Sequence, residues 1–378
     1  MPSRFPEQTP ANSCSYPLKL EPFFQERVWG RKDLSYLYDS PPALPHPVGE
    51  VWLTADSNRV ANGAWKGSTL GELCRSCGLE LLGRQIHNSR SQSPQAFPLL
   101  VKFLFTTEKL SVQVHPPDSY ARKREGSDGK TEMWHVLQAE AGARLAVGFR
   151  EELRANQGLD QKALQAAIES GDIEQMLYWR EVGEGETFYV PAGTIHTIGA
   201  GLILCEIQQN SDITYRLYDY KRPGNDGRPR TLHVEKGLEV LQTRTPGGRT
   251  SPLERRWEQG ELQCLVACPY FATEKLVLEG TCRRSTEDRF EIWIGLEGEA
   301  EFEAGGERVK CGKGEVIVMP AAARTFSVAP ASRCVFLRSF QPDLEADVRA
   351  PLRAQGFSEQ QLQGMCFPEP PTFSGEMP

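Results

Sequence analysis

Short runs in which apolar and polar residues alternate, broken by glycine and proline, recur along the chain. Examples are Lys109-Leu110-Ser111-Val112-Gln113-Val114-His115, Glu186-Thr187-Phe188-Tyr189-Val190 and Glu315-Val316-Ile317-Val318-Met319. Successive strand side chains leave opposite faces, so a period of two marks half-buried strands, and many of them with punctuated turns predict a sandwich or barrel. Helical periodicity is confined to two stretches, 68–82 and 159–179. In the second, Leu164, Ile168, Ile173, Met176 and Leu177 form one apolar face inside an otherwise β-rich region.

The pattern repeats. Gly183-Glu184-Gly185-Glu186 leading to Pro191-Ala192 matches Gly312-Lys313-Gly314-Glu315 leading to Pro320-Ala321 at a constant offset of 129 residues. Upstream, Glu132 with Trp134 resembles Glu291 with Trp293, but the spacing to the proline is 59 residues in the first copy and 29 in the second. The surplus corresponds to a helical insert at about 150–180. Two related β-domains are expected, 1–248 and 249–378, joined across the segment Thr243-Arg244-Thr245-Pro246-Gly247-Gly248-Arg249. The last dozen residues read as a loose tail.

Composition narrows the function classes. With 39% hydrophobic and 25% charged residues and a net charge of -7, the 378-residue chain is an ordinary acidic globular protein, and nucleic acid is not an expected partner. No apolar run approaches the roughly 20 residues needed to cross a bilayer. The ten cysteines lie mostly in apolar runs and read as buried thiols of a cytoplasmic protein. Cys74-Arg75-Ser76-Cys77 has redox or zinc-knuckle spacing, but it falls in a helical stretch with no second pair and is read as structural.

Candidate chemistry collects in the first domain. On a strand, Ser111, Gln113 and His115 share one face. Gly185 followed by Pro191-Ala192-Gly193-Thr194-Ile195-His196 reads Gly-x5-Pro-x-Gly-x2-His, a rigid turn that aims a histidine inward. This resembles the second metal motif of the cupins, in which Glu132 stands at the carboxylate position. Gln113, His115, Glu132 and His196 offer two imidazoles, a carboxylate and an amide oxygen, a set suited to zinc with an open position. In the second copy His196 corresponds to Thr325, and no Gln-x-His precedes Glu291, so that domain is expected to be a degenerate cupin without a metal site.

Four segments together are similar to the motif series of type I phosphomannose isomerases: 109–116, Gly129-Lys130-Thr131-Glu132-Met133-Trp134, 190–196, and the run from Glu206 to Arg216. Trp29-Gly30 and Val48-Gly49-Glu50-Val51-Trp52 resemble the family's N-terminal segment. Gly129-Lys130-Thr131-Glu132 follows the compact bacterial version. The departures are Pro117 for a common acidic residue, Ala139 for a usual glycine, and poor agreement after Thr243. The resemblance implies a mainly β protein of two cupin-type barrel or jelly-roll domains. It implies one zinc per chain held by Gln113, His115, Glu132 and His196, with Arg216 and Lys130 acting on a phosphosugar.

The implied reaction interconverts mannose 6-phosphate and fructose 6-phosphate through an enediol. The base is left open among Glu206, Lys130 and a zinc-bound hydroxide. A non-catalytic sugar-binding cupin would need the ligands but not Lys130 and Arg216. His135 is expected to be packed or solvent-facing rather than a ligand; His46 and His87 sit in loop-like sequence, and His233 reads as structural. Asp118 and Tyr218 are softer site candidates. A monomer or weak homodimer is expected.

Overall fold

The computed structural model describes residues 13–83, 96–155, 160–244, 247–255 and 257–368. His87, Leu159, the linker residues Thr245 and Pro246 and the tail from 369 lie outside the described residues.

Two open two-sheet sandwiches, rather than closed barrels, carry the fold. In the first, a seven-stranded sheet runs in the order Gly248–Arg249, Thr187–Val190, Glu132–Ala139, Leu202–Gln209, Leu99–Thr106, Val48–Trp52, Phe23–Arg31. It faces a five-stranded sheet of Tyr215–Tyr218, Val112–Val114, His196–Ile198, Arg144–Phe149 and Leu177–Glu181. Leu104, Trp134, Val136, Phe188 and Leu204 from one sheet meet Leu145, Val147 and Ile198 from the other. The strands expected at Lys109 to His115, Glu186 to Val190 and Glu315 to Met319 form, trimmed to Val112–Val114, Thr187–Val190 and Val316–Met319.

The helical insert expected at about 150–180 forms as separate short helices and ends before 179. Helices Glu151–Ala155, Gln161–Ser170 and Ile173–Met176 succeed one another, and Leu177 already begins a strand. Gly171, at φ 93, ends the longest of them in a left-handed cap. Leu164, Ile168 and Ile173 pack on Val112, Val114, Ala146 and Leu217, the outer face of the five-stranded sheet. The insert therefore braces from behind the strands that carry Gln113 and Arg216.

The second sandwich repeats the first in register as well as in sequence. Glu132, Met133 and Trp134 pair with Val190, Tyr189 and Phe188; Glu291, Ile292 and Trp293 pair with Met319, Val318 and Ile317, the same partners displaced by 129. Between the two sandwiches, Met133, Leu137, Ile203 and Ile207 pack against Val277, Ile294, Leu296 and Leu337 in one apolar core. The N-terminal strand Leu18–Leu20 leaves the first half and pairs with Val316–Met319 of the second. Among the described residues no helix is long and apolar enough to cross a membrane. All ten cysteines are free thiols, and nine are buried.

Candidate active site

Four residues on three chain segments converge between the sheets of the first sandwich. His196 opens its strand directly opposite Gln113 in register, Glu132 opens a strand of the facing sheet, and His115 follows Val112–Val114. His115 Nε2 lies 3.5 Å from Glu132 Oε2 and His196 Nε2 lies 3.4 Å from Glu132 Oε1. Gln113 Nε2 is 3.2 Å from His196 Nε2. His115, Glu132 and His196 are at most 1% exposed.

Both ring tautomers follow from the backbone. Nδ1 of His115 is 2.9 Å from the Ile213 carbonyl and Nδ1 of His196 is 2.8 Å from that of Thr194. A carbonyl only accepts, so each Nδ1 carries the proton and each Nε2 presents a lone pair. His115 Nε2 and both oxygens of Glu132 make no hydrogen bond. The Lys130 ammonium lies near one of those oxygens, but the His115 Nε2 lone pair and the second carboxylate oxygen still lack a partner around the same buried point, so these residues fit a divalent metal. The amide ends of Gln113 are interchangeable by a flip that would turn its carbonyl oxygen to the same point.

Burial, then the Lys130 ammonium, pushes His115 down to about 3, and burial lowers His196 as well. Burial alone would raise Glu132, but Lys130 and the two imidazoles outweigh it and hold the carboxyl well below its usual range. All three groups are therefore in ligand-competent protonation states at neutral pH.

Tight backbone approaches hold the segments in place. Gly193 sits at φ 83, where a Cβ would meet Gln242 at 3.0 Å, and its N–H donates to the His115 carbonyl at 2.8 Å. The proline-glycine turn thus fastens one histidine segment to the other. A Cβ on Gly129 would lie 2.5 Å from the Asp118 nitrogen, while the Gly129 N–H donates to Asp118 Oδ1 at 2.8 Å. Asp118 accordingly seats the loop that delivers Lys130. Tyr218 fills the space beside Gly171 of the insert.

Beyond the ligands runs a row of buried charge. Register places Glu206 opposite both Trp134 and Lys102, and Lys102 opposite Trp52. Lys130 Nζ lies 3.0 Å from Glu132 Oε2 and 4.0 Å from Glu206 Oε1. Lys102 Nζ stands 3.7 Å from Glu206, 3.9 Å from Glu50 and 3.6 Å from Asp212. Trp134 Nε1 donates to Glu206 Oε2 at 3.1 Å. Burial, reinforced by Glu132 and only partly offset by the two lysines, lifts Glu206 to about 7. Glu50 goes the other way: burial is overcome by Lys102 and Arg27, and it falls to about 2.

Glu206 and Lys130 lie beside the candidate ligand cluster. Lys102, Glu50 and Asp212 were not anticipated, although a lone lysine in Leu99-Leu100-Val101-Lys102-Phe103-Leu104-Phe105 was a visible signal. Arg216 lies opposite Gln113 in register, and its Nη1 donates to the Thr231 carbonyl at 2.9 Å. No hydrogen bond or ion pair among the described residues joins it to the four ligand residues. Asp219, which could have neutralised it, is taken by Arg222 and Arg230 at 2.8 and 2.6 Å. Burial and then Arg230 lower its pKa. His233 steadies its strand, accepting from the Arg216 N–H at Nδ1. His135 is buried on the opposite face, with Nδ1 2.9 Å from Thr187 Oγ1.

In the second sandwich the corresponding carboxylate is already committed. Glu291 Oε1 takes Arg338 at 2.6 Å and its Oε2 accepts from Trp293 Nε1 at 2.9 Å. Arg338 also binds Glu274 at 2.6 Å. Arg338 pairs with Trp293 and Glu274, as Glu206 pairs with Trp134 and Lys102. The Lys-Glu pair of the first copy is thus inverted to Glu-Arg in the second.

A buried histidine-glutamate-histidine cluster between the sheets of such a sandwich defines a cupin with a candidate metal centre. The catalytic domain of type I phosphomannose isomerase matches residues 18–136, and the cupin domain of mannose-6-phosphate isomerase matches residues 261–340. The chain is 34% identical to the mannose-6-phosphate isomerase of Streptococcus mutans over 82% of its own length and 94% of the relative's. It is 33% identical to mannose-6-phosphate isomerase ManA of Bacillus subtilis over 84% and 98%. A crystal structure of the Bacillus subtilis mannose 6-phosphate isomerase superposes with a TM-score of 0.75 at 30% identity, covering 85% of this chain and 99% of that one. The chain belongs to the type I mannose-6-phosphate isomerase family.

Proposed function

We propose that this protein interconverts mannose 6-phosphate and fructose 6-phosphate, with one zinc ion held by Gln113, His115, Glu132 and His196. The observation that supports the reading is the convergence of the His115 and His196 Nε2 atoms on the buried Glu132 carboxylate, beside Lys130 and a Glu206 poised near neutrality. Zinc bound there would supply Lewis-acid stabilisation of negative charge on the sugar's C1 and C2 oxygens. Moving hydrogen between C1 and C2 through an enediol requires a group that takes and returns a proton, and Glu206, at about 7, exists in both forms at neutral pH. Lys130, whose ammonium is held above its usual pKa by Glu132, Glu206 and Asp212 against the effect of burial, stays charged and can steady an enediolate oxygen. Arg216, without a carboxylate partner, is available for the phosphate.

The two units, 1–248 and 249–378, divide the labour between catalysis and support in this reading, and the ten free thiols suit a cytoplasmic monomer or weak homodimer. The test is formation of fructose 6-phosphate from mannose 6-phosphate by the metal-loaded chain, with glucose 6-phosphate and ribose 5-phosphate as controls. Turnover confined to mannose 6-phosphate supports the assignment; turnover only of a control sugar replaces the substrate.

A further inference from the structure

The two sandwiches share an apolar core, and a titratable pair, His135 and Lys275, stands beside it. Alternation along Glu132–Ala139 sends Met133, His135 and Leu137 out of the first sandwich, and Met133 and Leu137 join the shared apolar core. On the other side, Lys275 lies on the same strand face as the core residue Val277 and in register with Leu337, also of that core. His135 and Lys275 line one cleft of about 200 Å³ together with Tyr36, Leu137, Leu296 and Val335. An imidazole and an ammonium are poor choices for an apolar contact, and a cleft there leaves packing enthalpy unclaimed.

Two features give the cleft its sign. His135 is 2% exposed, and only its Nδ1 edge is bonded, to Thr187. Lys275 forms no ion pair among the described residues. Two carboxylates, Glu184 and Glu297, also line the cleft; both are exposed, and Glu297 is taken by Arg333 at 3.1 Å. Lys313 Nζ sits 4.1 Å from the centre of the Tyr36 ring, which lines it too. Lys275, without an ion pair, and the free edge of the buried His135 are left to meet a ligand.

We infer that this inter-domain cleft is a second ligand site, separate from the metal centre, that binds a small phosphate or carboxylate anion between Lys275 and His135. Such an anion would receive a charge-assisted bond from each sandwich and so couple the two halves. The inference stands apart from the isomerase assignment, because none of its residues belongs to the candidate active site.

Calorimetric titration of the zinc-loaded full-length chain with inorganic phosphate and, separately, with succinate tests it, with Lys275→Gln as the reference that keeps the catalytic site intact. One more anion per chain is expected in the wild type than in Lys275→Gln, and the arm that binds identifies the head group. Lys275→Gln should weaken that binding at least tenfold and His135→Gln severalfold, with isomerase kcat/KM unchanged in buffer free of phosphate and carboxylate. His135 imidazole resonances in NMR spectra should shift on titration of the wild type and stay fixed in Lys275→Gln. Equal affinity and stoichiometry in wild type and Lys275→Gln, for both anions, would overturn the inference.

Discussion

Lys102 sits in a run that is otherwise apolar, and its 3% exposure gives it no solvent to fall back on. Three carboxylates share its charge. Replacing it with methionine leaves Glu50 only Arg27 and Glu206 only the more distant Lys130, a loss toward the lower end of the about 3–5 kcal/mol of broken buried pairs. Lys102→Met should therefore lower the midpoint of urea unfolding as well as turnover. Glu206→Gln separates the two effects: it keeps the shape and the bond from Trp134 while removing the proton carrier. Turnover should fall about 10²- to 10⁴-fold, with zinc content and melting temperature close to wild type. Near-normal turnover in Glu206→Gln would hand the proton transfer to another group. The candidate ligands stand out in the sequence because Gln-x-His and the proline-glycine-histidine turn are local patterns. Lys102, Glu50 and Asp212 become a site only through cross-strand register, which no local pattern displays.

Strands and turns set what those residues can do. Gly193 occupies a left-handed conformation that L side chains enter at a cost of about 1–2 kcal/mol. Gly193→Ala should also displace Gln242 and loosen the bond to the His115 carbonyl. The expected result is weaker zinc retention, measured by competition with a chelator, rather than a change in substrate selectivity. The inverted charge pair of the second sandwich makes a pH prediction. Burial would raise Glu291, but Arg338 overcomes it and holds the folded-state pKa below the usual value. The folded state then binds fewer protons than the unfolded one, so this contribution is present above the ordinary glutamate pKa and is lost as pH falls through the folded value. In Arg338→Met, burial is opposed only by the weaker effects of Arg284 and the Trp293 bond, and the slope should flatten or reverse. Urea midpoints followed from acid to neutral pH read this directly. The repeat was legible from its 129-residue offset because glycine and proline mark the same turn twice. The helical character of the insert was legible, but its break was not, because the apolar spacing runs on through Gly171, where the backbone turns left-handed.

On the scale of the molecule, the two sandwiches share a core, and the strand Leu18–Leu20 ties the N-terminus to Val316–Met319. Nothing in the residues near Leu18 announces a partner so far along the chain, so this tie was invisible before the fold was known. Residues 22–248 produced alone would expose Met133, Leu137, Ile203 and Ile207 on an open sheet face. They are expected to aggregate or to bind hydrophobic dyes, whereas the full chain stays monodisperse; a soluble, active fragment would show that the second sandwich is dispensable. The central claim, a metal-dependent mannose-6-phosphate isomerase built on His115, Glu132, His196 and Gln113, is tested most directly by measuring bound metal and turnover in the same samples. Wild type and Glu132→Gln would be followed through chelation and zinc restoration. The account predicts about one zinc per wild-type chain, activity that disappears and returns with it, and neither zinc nor activity in Glu132→Gln. Full turnover of mannose 6-phosphate by metal-free wild type, or none by the fully loaded protein, would contradict it.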